Sequence, residues 1–556
     1  MARSRARAVR VLLSAGALVL ATAWPTGAAA PVPAGERADG AQALPGLLEQ
    51  LAVAVGAPPD LLQVPGQVAA GHGDRAMAAL QPYLAPDGTA AGRVRAVAHL
   101  LAAYAAYRQG DHLQVPFHLR QAVTLWPDAA GVRVAAAGLY ELLGRPLEGL
   151  AVLEVLQTRA AARVEVAAHL GRLYLRAGRP ADARRVLEAH PSLATDPISR
   201  YHLALAYQQL GDEQAAAQAY QAALEVQSDL APALNNLGVL AYRQGRLASA
   251  ASYFRQASRA EPAHPLYRGN LGAVLRAMGE LEQAERELEQ SIRLGGGGAA
   301  LWLELGFVRL ARGAYAAAGV AFRQAQALSP RHPEAWWGLG LSHAGLGELE
   351  AAADALERAL EQEPGFWRAY PALAGVRRQQ GRWEEARQLL ERAVRLAPAV
   401  SSLRLQLAEI YLAEGRPGPA EEQLRTAVAL GGERPELLYA LGRAQLMAGR
   451  PQEALSALQQ AARREPAGPR RSQIHYAAAL AHELLGQQGL AVERLRQAVQ
   501  DDPDSFDAHL RLGQFLLAQG RRQEAEAFLR RAVQLRPDSS DARDALQQAT
   551  GAVSGG

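Results

Sequence analysis

Three short stretches carry residues whose types and order could do chemistry. His482-Glu483-Leu484-Leu485 opens like the H-E-x-x-H run that holds a catalytic zinc on one helix face, but its fifth residue is Gly486. Gly340-Leu341-Ser342-His343-Ala344 approaches a nucleophile elbow, which requires a sharp strand-to-helix turn; the pattern around it is helical throughout. Gly71-His72-Gly73-Asp74-Arg75-Ala76 spells a dinucleotide fingerprint with no strand pattern before it. The 13 histidines are scattered, and the nearest pair considered, His112 and His118, is six apart and off one helix face. The chain has no Cys and no Lys. That removes thiolate nucleophiles, cysteine zinc sites, iron–sulfur clusters, the P-loop lysine and Schiff-base lysines. No catalytic residue, cofactor or metal site is predicted.

The elements that would have to position such residues follow a fixed pitch. Gly110, Gly144, Gly178, Gly211, Gly245, Gly279, Gly313, Gly347, Gly381, Gly415, Gly449, Gly486 and Gly520 lie 34 residues apart, except for one spacing of 33 and one of 37. Other columns run parallel to them. A small residue lies seven before, as at Gly238, Gly272, Gly306, Gly340 and Gly442. Ala lies five after, as at Ala216, Ala250, Ala318 and Ala352, and a large apolar residue four further on, as at Tyr220, Phe254 and Phe322. Apolar residues at i, i+3, i+4 and i+7 on both sides of each glycine predict two amphipathic helices. Glycine costs about 1 kcal/mol inside a helix, so it belongs at the break between them. Prolines such as Pro262, Pro330, Pro364 and Pro398 mark the next break. Small columns let the paired helices approach closely.

The pattern resembles the tetratricopeptide repeat (TPR) family, whose signature is W-x2-L-G-x2-Y, then A-x3-F, then P. Trp302-x-x-Leu305-Gly306 and Trp336-x-x-Leu339-Gly340 match its first half, Ala250-x3-Phe254 and Ala318-x3-Phe322 its second, and Tyr140, Tyr174, Tyr207 and Tyr411 fill its tyrosine column. The resemblance implies an all-α fold, a right-handed α-solenoid superhelix of stacked helix-turn-helix units. Thirteen units are expected over 96–539, a degenerate one with Gly73 and Ala78 over 59–95, a linker and capping helix over 31–58, and a closing helix and tail over 540–556.

Residues 1–30 read as a cleavable signal peptide: Arg3, Arg5, Arg7 and Arg10, an apolar run from Val11 to Ala23, and a cleavage motif at Ala28-x-Ala30. A 13-residue apolar run is short of the roughly 20 residues that span a bilayer, so no stable membrane anchor is expected after signal removal. The whole chain has 59 basic and 55 acidic residues; without the four leader arginines the balance is 55 against 55. Nucleic-acid binding therefore has no electrostatic support.

In TPR proteins the first helix of each unit lines the inner groove. The resemblance places groove positions three, six, ten and thirteen residues before the turn glycine. The partner-binding residues expected on that basis are Tyr201, Tyr242, Leu303, Phe307, Leu310, Trp337, Leu341, Tyr439, Arg443 and Tyr476. Leu303, Phe307, Leu310, Trp337 and Leu341 would make one exposed apolar patch, a feature that marks interaction sites. The other reading of that patch is that superhelix curvature or self-packing shields it, or that it forms a homodimer contact. Asn236 and Asn270 alone occupy the column that, in some TPR families, holds a peptide backbone. The expected function is a non-catalytic scaffold for other envelope proteins, periplasmic or secreted. The resemblance extends to exported TPR proteins of exopolysaccharide synthesis and secretion assemblies. Direct binding of a polysaccharide by groove aromatics is the alternative.

Overall fold

All thirteen glycines of the 34-residue ruler take the left-handed backbone region, with φ between 69° and 86°. A Cβ is disfavoured there, and the conformation ends one helix while releasing the chain into the next. Each turn closes on paired bonds. At Gly347 the N–H donates to the Ala344 carbonyl at 3.1 Å, and the N–H of Glu348 reaches the His343 carbonyl at 2.9 Å. These satisfy carbonyls that the helix end would otherwise leave without partners.

The computed structural model describes residues 34–85, 90–156 and 164–551, with 34–43 and 165 described by backbone alone. The expected signal peptide, with Ala28 and Ala30, lies outside them. Among the described residues every regular element is helical, and the helices pair as hairpins, each packed on the next in chain order. Two compact units result, one reaching to Val308 and one beginning at Arg309. Hairpins such as Pro265–Met278 with Leu281–Arg293 in the first, and Pro333–Leu346 with Leu349–Gln362 in the second, repeat the same design.

The columns explain the packing. Ala216, Ala250, Ala284, Ala318, Ala352, Ala386, Ala420, Ala454, Ala491 and Ala525 are fully buried, as are the partners Tyr220, Phe322 and Leu356. Seven residues before the turn, a Cβ on Gly340 would sit 2.5 Å from Leu356 Cγ and 3.2 Å from the Ala352 carbonyl oxygen; Gly272, Gly442 and Gly513 face Leu288, Leu458 and Leu529 in the same way. The larger residue of the second helix fills the notch that the glycine leaves, so the hairpin closes at backbone distance.

A further column is absent from the sequence patterns. Eleven residues before the turn glycine, Arg133, Arg268, Trp336, Tyr370, Arg404 and His509 each donate to the carbonyl of the proline six residues upstream, at 2.6–3.5 Å. Five residue-position equivalents of the signature tryptophan thus fix the inter-repeat loop with Arg, Tyr or His as donor.

Departures from the ruler are local. The first irregular pair, Val64–Ala69 with Gly73–Leu84, turns at Gly71, φ 82°, and not at Gly73. This register puts fully buried Ala76 and Leu80 in the columns five and nine residues on, so Ala78 is not the column residue. In Gly295-Gly296-Gly297-Gly298 the first two glycines have work: Gly295 has φ 88°, and a Cβ on Gly296 would lie 2.7 Å from the Ser291 carbonyl oxygen. The 37-residue spacing is not a loop insertion. Its extra residues instead add one helical turn, so Pro469–Leu484 has 16 residues where Pro435–Met447 and Phe506–Ala518 have 13.

Candidate partner-binding surface

Position along the first helix fixes which side chains can meet a partner, but neighbouring units decide whether they remain accessible. In the unit ending at Val308, Tyr201, Leu303 and Phe307 are buried, and Tyr242 is half-buried. Tyr201 packs on Tyr220 with ring centroids 5.8 Å apart. Phe307 lies under the guanidinium of Arg276, which is itself held by Glu304 at 2.7 Å. In the unit from Arg309, Leu310, Trp337 and Leu341 are only 1–2% exposed, and Trp337 meets Phe366 edge to face at 5.8 Å. The expected exposed apolar patch is therefore corrected: these side chains form core between successive hairpins. Burial of an indole or phenyl ring contributes several kcal/mol to stability and leaves nothing for a ligand to cover.

The last three first-helices differ. In Pro435–Met447, Tyr439 is half-buried and Arg443 exposed, and the guanidinium of Arg443 lies 5.8 Å from the Tyr439 ring. In Pro469–Leu484, Tyr476, Leu480 and Glu483 are half-buried and Gln473 is exposed. In Phe506–Ala518, Leu510, Gln514 and Leu517 are half-buried and Asp507 is exposed. Arg511 donates to Glu483 at 2.5 Å and ties two of these helices. No groove position in these three helices is buried. Burial lifts the Tyr439 and Tyr476 phenols above the ordinary range, so both stay protonated donors. The columns had pointed to Tyr439, Arg443 and Tyr476; Leu510, Gln514 and Leu517 follow from the same spacing but lack the aromatic signal that drew attention to the others.

At the other end the equivalent face is occupied by the chain itself. The helix Ala34–Ala54 packs on the first helices Gly92–Gln109 and Ala130–Leu142, and on Val64–Ala69. Its Leu48 and Ala52 are fully buried. A Cβ on Gly131 would lie 2.7 Å from Leu51 Cδ2, and one on Gly138 would lie 4.0 Å from Leu44 Cδ1. Gly131 and Gly138 stand thirteen and six residues before turn glycine Gly144, which are groove positions. The helix expected as a terminal cap thus lies along the groove face.

Polar residues knit the units together rather than presenting ligand groups. Asn270 Nδ2 donates to Asn235 Oδ1 at 2.8 Å, Asn235 to Asn236 at 3.2 Å, and Asn236 to Tyr220 Oη at 3.0 Å; that hydroxyl donates to Gln208 at 2.8 Å. The two asparagines of the backbone-holding column are therefore spent on internal bonds. Tyr174 and Tyr411 each donate at 3.0 Å to a glutamate twenty residues back, Glu154 and Glu391, under an arginine stacked on the ring. His99 and His118, distant in sequence, meet Nδ1 to Nδ1 at 3.0 Å and are both buried. Burial, with His118 and Arg95 nearby, lowers His99 to about 4. Burial beside Arg172 and Arg176 lowers His202 to about 3.

The chemical near-matches resolve into structure. Ser342 is buried and donates to the Gly338 carbonyl at 2.9 Å within its own helix, while His343 pairs with Glu348 at 2.5 Å. His482 bonds Gln487 at 2.7 Å across the turn. Gly71 and His72 form a helix-to-helix turn, and Gly73 to Ala76 the first turn of the next helix. Among the described residues no cluster of three metal-ligating side chains occurs, and no helix is long and apolar enough to cross a membrane.

Models of the tetratricopeptide repeat match residues 164–189, 201–265, 241–302 and, in overlapping segments, 320–549. The chain belongs to the tetratricopeptide repeat family. TPR proteins generally mediate protein–protein interactions and are generally non-catalytic. Among solved structures, this TPR chain is similar to the APC/C hetero-tetramer Cut9–Hcn1, at 15% identity over 82% of this chain and 96% of that one, with a TM-score of 0.41. It is also similar to YrrB, described as a TPR protein with an unusual peptide-binding site, at 23% identity over 34% of this chain and 96% of that one, TM-score 0.31. A tetratricopeptide repeat protein from Parabacteroides merdae is 19% identical over 45% of this chain and 98% of that one, TM-score 0.37. No curated protein matches the chain.

Proposed function

We propose that this TPR chain is a non-catalytic scaffold that takes an amphipathic helix of a partner protein along the first-helix face of its last three units, around Tyr439, Arg443 and Tyr476. The observation that carries the reading is the chain's own helix Ala34–Ala54 seated on Gly131 and Gly138, the same groove positions further up the array. Half-buried tyrosines and an adjacent arginine are the residue types enriched in interface hot spots. Placing a photo-crosslinking amino acid at Tyr476 or at Leu517 in the producing cell should capture discrete protein partners. Absence of a protein adduct at both positions would overturn the reading. The polysaccharide alternative loses Phe307 and Trp337, which are buried, and rests on the half-buried Tyr242, Tyr439 and Tyr476.

The site of action we infer is the periplasm or the exterior, within an envelope assembly of the kind that builds or exports polysaccharide. Its support is the sequence of the leader, Arg3 to Arg10 followed by Ala28-x-Ala30. Amino-terminal sequencing of the protein from cell fractions should find Pro31 first, in an exported fraction; a chain retaining Met1 in the cytosol would refute export.

A further inference from the structure

The one long spacing of the ruler builds a site on the opposite side of the unit from the groove. The added turn at the start of Pro469–Leu484 contains Arg471. This residue and His475, one turn on, form the floor of a cleft of about 500 Å³. One wall is the last turn of the second helix Pro451–Arg464, with Gln459 and Arg463; the other is the second helix Gln488–Asp501, with Arg494 and Asp501. Groove residues Gln473, Tyr476 and Leu480 leave the same first helix on another face. The cleft is therefore distinct from the partner-binding surface.

Its charges are unevenly matched. Arg471 and Asp501 close on each other through two bonds, Nε to Oδ2 at 2.9 Å and Nη2 to Oδ1 at 2.5 Å, which leaves that pair neutral and rigid. His475 Nε2 lies 3.5 Å from the same carboxylate, and burial pushes its imidazole below the ordinary range, so it adds no charge near neutrality. Arg494 is oriented by a neutral partner, the Gln497 amide oxygen at 2.8 Å. Arg463 engages no carboxylate among the described residues. Arg463 and Arg494 thus line a polar cavity without an ion pair to any carboxylate among the described residues, while the one acid in its lining, Asp501, is held by Arg471.

We propose that this cleft binds a doubly charged oxyanion of the phosphate class, held by Arg463 and Arg494 with the Gln459 amide beside them. Planar guanidinium forks match tetrahedral oxyanions through paired charge-assisted bonds. The volume lies in the range of small-ligand sites and exceeds that of a bare ion, so a phosphate ester on a small polar body fits as well as free phosphate. The 34-residue units of this chain lack the added turn that carries Arg471.

Isothermal titration of the full chain at low ionic strength, with inorganic phosphate in one arm and glucose 6-phosphate in the other, tests the site. One-to-one binding in at least one arm is expected, weakened about tenfold or more in the Arg463→Gln, Arg494→Gln double variant, since each charge-assisted bond is worth about 1.5–3 kcal/mol. It should be unchanged in Arg511→Gln, which alters the groove side. Circular dichroism of each variant controls for folding, which these half-buried or exposed positions should not disturb. Tighter binding of the ester assigns the source as a phosphorylated small molecule, and equal binding assigns free phosphate; both uphold the oxyanion site. No saturable heat in either arm, or equal affinity in the double variant, overturns it. Neither result bears on crosslinking at Tyr476, so the two readings fail independently.

Discussion

The first-helix face is closed near the beginning of the array and open near its end. Around Gly92–Gln109 and Ala130–Leu142, groove positions carry Val97, Leu100, Tyr104, Gly131 and Gly138, and the chain's own helix covers them. Around Pro435–Met447, Pro469–Leu484 and Phe506–Ala518 the same positions carry Tyr, Arg, Gln, Leu and acidic residues, and none is buried. The same backbone design thus serves as core in one stretch and as contact surface in another. Glycines and aliphatic residues suit a permanent occupant that arrives with the chain. Amphipathic residues tolerate water until a partner arrives.

Four measurements test that contrast. Trp337→Ala should cost about 3–5 kcal/mol of stability, read from urea unfolding, because it empties core rather than a groove. A neutral effect would reinstate the indole as a contact residue. Leu48→Ala should cost about 2–5 kcal/mol, with the loss confined to hydrogen-exchange protection of Gly92–Gln109 and Ala130–Leu142, since repeat stability is nearest-neighbour. Equal loss at Phe506–Ala518 would contradict the local character of the covered face. Acidification supplies the third. His99 is held near 4 in the fold against 6.5 unfolded, so the unfolded chain binds more protons between those values. Stability of the covered stretch should therefore be full above about pH 6.5 and decline as pH falls toward about 4. His99→Leu should flatten that slope; an unaltered slope would mean that the histidine pair carries no linkage. Smallest in stability is Tyr476→Ala, expected at about 1 kcal/mol or less, yet it should reduce partner capture at Leu517 several-fold. Loss of stability without loss of capture would return Tyr476 to the core.

The fold is legible because its determinants are single residues at fixed intervals: a glycine that must accept φ near +75° and an alanine fully buried in the helix contact. The binding face was only partly legible. Spacing correctly named first-helix positions, but Phe307 is covered by Arg276 and Trp337 by Phe366, contacts between units that period alone does not encode. The donor column leaves no identity signal because Arg, Trp, Tyr and His perform one task there, and a column of function is not a column of identity. The meeting of His99 with His118 depends on two helices of one hairpin and leaves no spacing signal. The extra turn was visible as three surplus residues, yet whether they would coil or loop depended on Pro469 at the first helical position.

The helix Ala34–Ala54 has a consequence for how the chain comes into being. Most contacts in the array join an element to the one made just after it. This helix is the earliest of the described elements to be synthesised, yet its seat on Gly131 and Gly138 does not exist until some ninety residues more have emerged and coiled. Until then Leu44 and Leu51 lack these partners, and only nearer contacts, such as those with Val64–Ala69 and Gly92–Gln109, can form. The first described helix is thus completed late, with apolar side chains waiting for a seat that later sequence must supply.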